Sequence, residues 1–362
     1  MKRLAIVLFN LGGPDGPGAV EPFLFNLFND PAIIGAPGPV RWLLAKFISK
    51  RRAPFAREIY AHIGGASPLL GLTWDQAHAL DGALDGQLDE VEVKSFVCMR
   101  YWHPMSDETA KAVKAYAPDQ IVLLPLYPQF STTTTQSSFD DWARAAARVG
   151  LEVATKRVCC YPSEPGFVKA QALLLKDAIA QAGQNGDAVR VLFSAHGLPK
   201  KIVDKKGDPY PEHVALGANA IVEAARALGV SIDDWRVSYQ SRVGPLEWIG
   251  PSTDDEIERA GGEGRALVVL PIAFVSEHSE TLVELDIEYK ELADKAGVKA
   301  YVRVPAVATA PDFINGLAAL VKDTLACSGA CSGASSGDPC PQGGNTRICT
   351  AFAHACPARM IG

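Results

Sequence analysis

Two segments of the sequence carry side chains that could move protons or bind a metal ion. In the first, SAHG, His196 follows the almost wholly apolar run Val189–Ser194. In the second, SEHSETLVELDIEYKE, glutamates recur every three or four residues. Neutral imidazole and carboxylates together suit iron and other first-row divalent ions, and histidine can act as a general base near neutral pH. If the two segments face each other, they predict a site that deprotonates a substrate and binds a divalent cation.

The glutamate spacing predicts an acidic face on a helix. The residues concerned are Glu277, Glu280, Glu284, Glu288 and Glu291. Steps of three and four residues place side chains on one face of an α-helix. Because like charges at this spacing repel by roughly 0.2–0.5 kcal/mol per pair, a solvated acidic surface is the plain alternative to a cation site. The same glutamates could carry released protons to water.

Composition and charge exclude several classes of protein. The chain has 362 residues, of which 48% are hydrophobic, and a formal net charge of −6. Nucleic-acid-binding proteins usually have a basic balance, so we expect no nucleic-acid partner. No apolar run reaches the ~18 residues of a membrane span, and the short run near the first methionine predicts a buried strand rather than a signal peptide. We therefore expect a cytoplasmic globular protein.

Short β-rich runs alternate with longer helical patterns, as is typical of parallel sheets covered by helices. The predicted strands are Leu4–Phe9, Val91–Val97, Gln120–Leu124, Val153–Val158, Val189–Ser194, Arg236–Gln240, Ala266–Pro271 and Lys299–Val304. The predicted helices are Thr73–Asp85, Asp107–Tyr116, Asp140–Val149, Pro165–Ala182, Pro211–Leu228 and the glutamate segment. We predict an α/β fold with two similar doubly wound parallel-sheet domains around a cleft. The expected limits are residues 1–150, residues 151–308, and a C-terminal helix with a Cys-rich extension at 309–362.

Five of the eight cysteines crowd towards the carboxyl terminus of the chain. They are Cys327, Cys331, Cys340, Cys349 and Cys356, whereas Cys98, Cys159 and Cys160 lie in the body. A cytosolic cluster of this kind predicts metal or iron–sulfur ligation rather than a secreted disulfide framework. The spacing is not a standard zinc pattern, and a disordered tail rich in Gly, Ser and Cys is the alternative.

Two further patterns concern larger partners. Aromatic side chains in the predicted cleft loops would suit a large flat apolar ligand. The aromatic residues are Tyr60, Tyr101, Trp102, Tyr127, Phe130 and Trp248. The stretch VRWLLAKFISKRRAPF at residues 40–55 mixes apolar and basic side chains, which predicts contact with an anionic membrane surface. An ordinary packed helix with a basic edge is the alternative for this stretch.

Seven segments, in order along the chain, resemble the ferrochelatase family. They are LFNLGGP (8–14), YAHIGGASPL (60–69), MRYWHP (99–104), LPLYPQFSTTTT (124–135), SAHGLP (194–199), YQSRVGPLEWIGPSTDD (239–255) and FVSEHSETLVELDIEY (274–289). The resemblance reaches to about residue 325. It implies two Rossmann-like domains of the chelatase type around a porphyrin cleft. It also implies a lyase, bacterial in type, that inserts ferrous iron into protoporphyrin IX and releases two protons.

The resemblance also implies roles for single residues. His196 and Glu280 match the metal-site pair, with His196 accepting the pyrrole protons, and Glu284 and Glu288 continue the acidic track. Positions that match the porphyrin pocket are Leu11, Tyr60, Ser67, Arg100, Tyr101, Trp248 and His278. Residues 40–55 are similar to the lip through which porphyrin enters, which implies peripheral contact with the inner face of the membrane.

Some ferrochelatases carry a [2Fe–2S] cluster on cysteines near the carboxyl terminus plus one from the body. In animal members the body ligand lies in the stretch that matches Ser131-Thr132-Thr133, where this chain has no cysteine. Cys159 and Cys160 are the implied substitutes. The four ligands are expected among Cys159, Cys160, Cys327, Cys331, Cys340, Cys349 and Cys356.

Three other functions stay open at this point. The first is a chelatase for another tetrapyrrole, coproporphyrin, or for another metal such as cobalt. The second is a non-catalytic haem or metal carrier, in which replacing His196 would weaken binding rather than abolish turnover. The third is an electron-transfer protein that uses the cluster. The sequence does not predict an oligomeric state.

Overall fold

Two parallel sheets form the framework of the protein. The computed structural model describes residues 1–242, 244 and 246–326. In this part of the chain the strands are β1 Lys2–Asn10, β2 Val91–Met99, β3 Gln120–Pro125, β4 Ala154–Arg157, β5 Val189–His196, β6 Trp235–Gln240, β7 Ala266–Pro271 and β8 Tyr301–Arg303. The strand orders are β2-β1-β3-β4 and β6-β5-β7-β8. If β5 to β8 are renumbered as the first to fourth strands of their sheet, the second strand order is identical to the first. The prediction of two similar α/β halves is therefore confirmed.

Helices connect the strands in both halves. In the described residues they are α1 Val20–Phe28, α2 Gly38–Ala61, α3 Leu69–Leu84, α4 Ser106–Tyr116, α5 Thr135–Val149, α6 Pro165–Ala182, α7 Lys200–Lys206, α8 Tyr210–Ala227, α9 Thr253–Gly262, a π-helix Glu280–Glu288, α10 Tyr289–Ala296 and α11 Pro311–Ala326. None of these described helices is both long enough and apolar enough to cross a membrane.

The apolar strand runs arise because both faces of each sheet are covered. In β1, Leu4, Ile6 and Leu8 belong to one buried cluster. The alternate residues Ala5, Val7 and Phe9 belong to another cluster on the opposite face. Successive side chains of a strand point to opposite faces, so a strand covered on both sides must be apolar throughout. This burial fixes the strand ends, and therefore the loops that follow them.

Buried amides join the two halves. The side-chain amide of Gln76 on α3 donates to the main-chain oxygens of Val275 (3.0 Å) and Ala308 (2.9 Å), and its oxygen accepts from Ser276 Oγ at 3.0 Å. Gln129 Nε2 likewise donates to the oxygen of Ile272 at 3.1 Å. Buried amides with satisfied partners hold one geometry, because breaking either contact would leave buried polar groups unpaired. The two halves thus meet through the segment that precedes the π-helix.

The glutamate segment differs from the predicted single α-helix. It forms the π-helix Glu280–Glu288 and then α10. Glu277 lies before the π-helix, where its carboxylate accepts from Arg303 Nη1 at 2.6 Å and from the Ala306 N–H at 2.9 Å. The prediction of one acidic face for all five glutamates is therefore wrong at Glu277, because the chain turns into the helix after that residue.

The predicted domain limits at residues 150 and 308 stay predictions. Strand β4 begins after residue 150 and pairs with β3 in the first sheet. Helix α11, which follows residue 308, packs against α3 and α6. The predicted cluster ligands Cys327, Cys331, Cys340, Cys349 and Cys356 lie outside the described residues.

Candidate functional site

A histidine–glutamate pair lies where β5 ends and the π-helix begins. His196 is the last residue of β5, and its Nδ1 lies 2.9 Å from Oε2 of Glu280, the first residue of the π-helix. The two side chains are 41% and 27% exposed, so a ligand in the cleft can reach them. His196 Nε2 and Glu280 Oε1 make no hydrogen bond within the described part of the chain. With the Nδ1 hydrogen directed at Glu280, Nε2 of the neutral ring carries the free lone pair.

Each member of the pair shifts the pKa of the other. Burial would lower the pKa of His196, but the charge of Glu280 and its hydrogen bond outweigh burial, so this pKa is raised. Burial would raise the pKa of Glu280, but the His196 charge and hydrogen bond outweigh burial and lower it to about 2. Glu280 is therefore ionised near neutral pH and stabilises an imidazolium at His196.

Ser241, directly after β6, connects Glu284 to this pair. Its N–H donates to Glu284 Oε1 at 2.8 Å, and its hydroxyl donates to Glu284 Oε2 at 2.5 Å. The same hydroxyl lies 3.4 Å from Glu280 Oε2. Ser241 has a φ of +60°, a left-handed conformation that residues with a Cβ adopt rarely. This conformation lets one residue contact both carboxylates.

The environment of Glu284 makes it a proton acceptor near neutral pH. Burial first, and then the charge of Glu280, raise the pKa of Glu284 to about 7. Two neighbouring carboxylates with pKa values pushed apart can take different roles, as in many acid–base sites. Here Glu280 stays charged while Glu284 binds and releases a proton.

Glu284 should make the stability of the protein depend on pH. Its pKa is about 7 in the folded chain and 4.5 ordinarily, so folding favours the protonated form. Its stabilising contribution is complete below pH 4.5 and is lost as the pH rises through 7. We expect the Tm of the wild-type protein to fall relative to that of Glu284→Gln across this window, measured by thermal unfolding at a series of pH values. Glu291→Gln, at an exposed glutamate, controls for the lost charge, and a Glu284→Gln difference that is constant with pH would contradict this assignment.

The first half of the chain contributes Tyr60 and Ser67 to the opposite side of the site. A Cβ added to Gly13 would lie 2.5 Å from Ser67 Oγ, so the loop after β1 approaches Ser67 closely only because residue 13 is glycine. The Tyr60 hydroxyl lies 3.8 Å from the position of that added Cβ. It also accepts from Ser279 Oγ at 3.4 Å, directly before the π-helix. Tyr60 therefore contacts the segment that carries Glu280, and Ser67 lies close to Tyr60 beside Gly13.

Trp248 and His278 bring buried polar atoms to the site. A Cβ added to Gly197, next to His196, would lie 3.3 Å from Trp248 Cε3, so the indole packs against the end of β5. Trp248 Nε1 and His278 Nε2 are buried and have no hydrogen-bond partner among the described residues. His278 is 8% exposed, and burial lowers its pKa, so the ring is neutral. Other buried polar atoms of the described residues also lack a partner, so these two atoms show only that hydrogen-bonding capacity is unused beside His196 and Glu280.

Three of the predicted site residues bind other parts of the protein. Asp30 accepts from Arg100 Nη2 at 2.8 Å and from the Tyr101 hydroxyl at 2.9 Å. Only 10% of the Arg100 side chain is exposed, and Tyr101 is 1% exposed. The main-chain oxygen of Leu11 accepts from the Tyr101 N–H at 2.9 Å. The polar ends of Arg100 and Tyr101 are therefore held by a buried carboxylate.

Glu288, the fourth predicted catalytic residue, lies at the end of the π-helix. It is exposed and makes no hydrogen bond or ion pair with a described residue. Glu280 and Glu284 both contact the Ser241 hydroxyl, whereas Glu288 does not contact Ser241. Its predicted place in the acidic track stays a prediction.

The two body cysteines of the predicted cluster lie side by side. Cys159 Sγ and Cys160 Sγ are 3.0 Å apart, and both pack near Phe130. In the stretch where animal members have a cysteine, the Ser131 and Thr132 hydroxyls both donate to Asp208. Among the residues that the structure describes, no group of three or more His, Cys, Asp or Glu side chains could hold a metal ion.

Sequence reasoning missed Ser241, Tyr289 and Asp254. Ser241 follows a parallel strand directly, as His196 ends one, and this position could have marked it. Tyr289 does not belong to the glutamate pattern of its segment. Its hydroxyl lies 3.4 Å from Glu284 Oε1 and 3.2 Å from Asp254 Oδ2.

This chain matches a family model and is similar to curated proteins of the same name. A family model described as Ferrochelatase matches residues 3–325. The ferrochelatase of Caulobacter vibrioides is 56% identical over 324 residues, which cover 90% of this chain and 91% of that protein. The ferrochelatase of Phenylobacterium zucineum is 55% identical, covering 91% and 93% of the two chains. The ferrochelatase of Pelagibacter ubique is 49% identical, covering 89% and 91%. The matched residues include both halves and every described segment of the site.

Proposed function

Because the chain belongs to the ferrochelatase family, we propose that it inserts ferrous iron into protoporphyrin IX to form haem, the last step of haem biosynthesis. By reaction class it is a lyase. The observation that supports this most strongly is the pair His196–Glu280, with Nδ1 and Oε2 2.9 Å apart and both side chains partly exposed. The pair supplies a base and a metal ligand at one point.

The reaction exchanges two pyrrole N–H protons for one metal ion. His196 Nε2, which carries the lone pair of the neutral ring, accepts a pyrrole proton. Glu280 stabilises the imidazolium that forms, because its carboxylate is ionised and bonded to Nδ1. Its second oxygen, Oε1, is available to ferrous iron, for which imidazole and carboxylate are suitable ligands. The Ser241 hydroxyl contacts both Glu280 and Glu284, so Glu284 is the nearest group that can take the proton onwards.

The porphyrin would lie between the two halves, against Tyr60 and Ser67 on one side and Trp248 and His278 on the other. Aromatic side chains with one polar atom suit the face of a macrocycle. Arg100, Tyr101 and Leu11 would act behind this surface, because Asp30 already holds the first two. Their part in binding is to position the loop after β2.

A pocket between α1 and α2 would serve as the porphyrin entrance. Its volume is about 540 Å³. The lining includes Phe25 and Trp42 together with the cations of Lys46 and Arg57. Tyr60 lies one turn after Arg57 on α2, so the same helix lines the pocket and carries Tyr60. Aromatic walls suit the macrocycle, and Lys46 suits one of its propionate carboxylates, whereas Arg57 lies 3.9 Å from Glu21.

Helix α2 would also carry peripheral contact with the inner face of a membrane. Its exposed apolar side chains include Leu43 (62%), Phe47 (65%) and Phe55 (57%). Lys50 and Arg51 are exposed on the same helix. Apolar side chains with a basic rim bind anionic lipid surfaces. Co-sedimentation with phosphatidylglycerol vesicles, and its loss in Leu43→Ser/Phe47→Ser, would support this contact, whereas equal recovery with phosphatidylcholine vesicles would count against an anionic surface.

A [2Fe–2S] cluster is proposed on four of the candidate cysteines. Cys159 and Cys160 would supply at most two thiolates, and the others would come from outside the described residues. When bound, such a cluster can accept or donate one electron. Iron and acid-labile sulfide would be measured in the purified full chain and in Cys160→Ser, and sulfide-free wild-type protein prepared anaerobically would refute the proposal.

The proposed reaction can be separated from its alternatives by offering defined substrates. The full chain would be mixed anaerobically with ferrous ion and protoporphyrin IX, and in parallel with coproporphyrin, which carries more carboxylates, or with cobaltous ion. We expect faster formation of metalloporphyrin with protoporphyrin IX and ferrous ion than with either substitute. Faster turnover with coproporphyrin or cobalt would reassign the substrate, and tight porphyrin binding without any insertion would indicate a carrier.

A further inference from the structure

A buried tyrosine connects the inner carboxylates to the protein surface. Tyr289 is the first residue of α10 and is 5% exposed. Its hydroxyl lies 3.4 Å from Glu284 Oε1 and 3.2 Å from Asp254 Oδ2. Asp254 lies in the first turn of α9, which packs against α10, and it is exposed to solvent. Tyr289 therefore bridges Glu284 and a carboxylate that is exposed to solvent.

The hydrogen count in this contact is informative. A tyrosine hydroxyl has one hydrogen, yet two carboxylate oxygens lie within hydrogen-bond distance of it. It can donate to only one of them. Both contacts become hydrogen bonds when Glu284 is protonated and donates to the tyrosine oxygen while the tyrosine donates to Asp254. Both hydrogen bonds of the Tyr289 hydroxyl are therefore made in the state in which Glu284 has just taken a proton.

The alternative exit along the acidic face lacks such contacts. Glu288 is the next glutamate after Glu284, but it is exposed and bonded to no described residue. The inner end of the route is continuous, because the Ser241 hydroxyl contacts both Glu280 and Glu284. The hydrogen-bonded route from the inner site therefore leaves the row of glutamates at Glu284 and turns towards α9.

We propose that Tyr289 relays the protons released by metal insertion from Glu284 to Asp254, and that Asp254 delivers them to water. This inference rests on the proposed function. Protonated Glu284 gives its proton to the tyrosine oxygen while the original tyrosine hydrogen passes to Asp254 Oδ2. Asp254 then loses a proton to water, and rotation of the hydroxyl restores the starting state. No bond other than O–H forms or breaks, and no oxidant or reductant is needed.

The test is Tyr289→Phe, which removes the hydroxyl and keeps the ring. We expect kcat for iron insertion into protoporphyrin IX to fall about 10-fold. This is less than the roughly 10²–10⁴-fold typical of a lost general base, since water can partly replace a hydroxyl. KM and porphyrin binding, followed by fluorescence quenching, should not change. The solvent isotope effect on kcat should increase, because proton exit becomes slower than the other steps.

Matched variants separate relay from structure. Tyr301→Phe removes another tyrosine hydroxyl, one that donates to the Leu285 oxygen of the π-helix at 2.7 Å, and it should keep the wild-type kcat and isotope effect. Asp254→Asn, at an exposed position, should reproduce the loss in kcat even if Tyr289→Phe does not fold. Wild-type kcat in either Tyr289→Phe or Asp254→Asn would overturn the relay. So would an equal loss in Tyr301→Phe, or a loss in Glu288→Gln with none in Tyr289→Phe.

The relay and the proposed function fail in different ways. If the wild-type chain inserts iron and both relay variants retain full kcat, the relay is wrong and the proposed function stands. If the wild-type chain binds porphyrin but inserts no iron, the proposed function is wrong, and the relay is overturned with it.

Discussion

Replacing His196 by alanine is expected to lower kcat for iron insertion by roughly 10²–10⁴-fold, the range typical of a lost general base. The physical reason is that Nε2 is the imidazole nitrogen open to the cleft, while Nδ1 is held by Glu280 at 2.9 Å. Porphyrin binding should persist, because Tyr60, Trp248 and the cleft walls remain. The measurement is anaerobic formation of metalloporphyrin from protoporphyrin IX and ferrous ion, with binding followed separately by fluorescence quenching.

The chain contains a matched control for this variant. His103 Nδ1 lies 2.9 Å from Glu108 Oε2, the same pairing at the same distance, but its side chain is 56% exposed and lies at the surface. His103→Ala should therefore insert iron at the wild-type rate. Retained kcat in His196→Ala, together with weakened binding of metal or porphyrin, would indicate a carrier with ligands but no base.

Replacing Glu280 by glutamine is expected to lower kcat by about 10²-fold or more, because the carboxylate both orients the base and offers an oxygen to iron. The substitution should also shift the pH dependence of kcat. In the wild-type protein the Glu280 charge raises the pKa of His196, and the base is active only when neutral. Without that charge the pKa of His196 falls. The acid limb of the kcat–pH profile should therefore move to lower pH while its plateau falls.

The same surface pair supplies the control for Glu280. Glu108→Gln removes a carboxylate from an exposed His–Glu pair and should leave the plateau and the acid limb of the profile in place. A Glu280→Gln profile that is lowered but keeps its acid limb at the wild-type pH would show that Glu280 does not act through His196. A profile that shifts without any loss at the plateau would show that Glu280 is not needed by the metal.

The strands and several of the helices were predictable because their sequence pattern is local. Ala266–Pro271 and Pro165–Ala182 are found with the predicted limits, since one is wholly buried and the other is bounded by proline and glycine. Helix α9, Thr253–Gly262, was not predicted, because it is short and polar and its start depends on the Ser252 cap. The π-helix was mistaken for an α-helix, since both helices bring residues four apart close together.

The site was predictable only in part. His196 and Glu280 were named from their motifs, and the structure brings them together. Ser241 was not named, because its contacts with two carboxylates need a φ of +60° that no residue pattern indicates. Tyr289 was not named, because its contact with Asp254 depends on how α10 packs against α9. Contacts between distant segments of this kind appear only when the chain is folded.

We propose that His196 takes the pyrrole protons that ferrous iron replaces. The most direct test mixes the full chain anaerobically with protoporphyrin IX and ferrous ion in weak buffer, recording the visible spectrum and a pH indicator together. We expect a metalloporphyrin spectrum with two protons released per haem formed. In His196→Ala both signals should form roughly 10²–10⁴-fold more slowly, although fluorescence quenching shows porphyrin bound. Insertion and proton release by His196→Ala at the wild-type rate would contradict this role of His196.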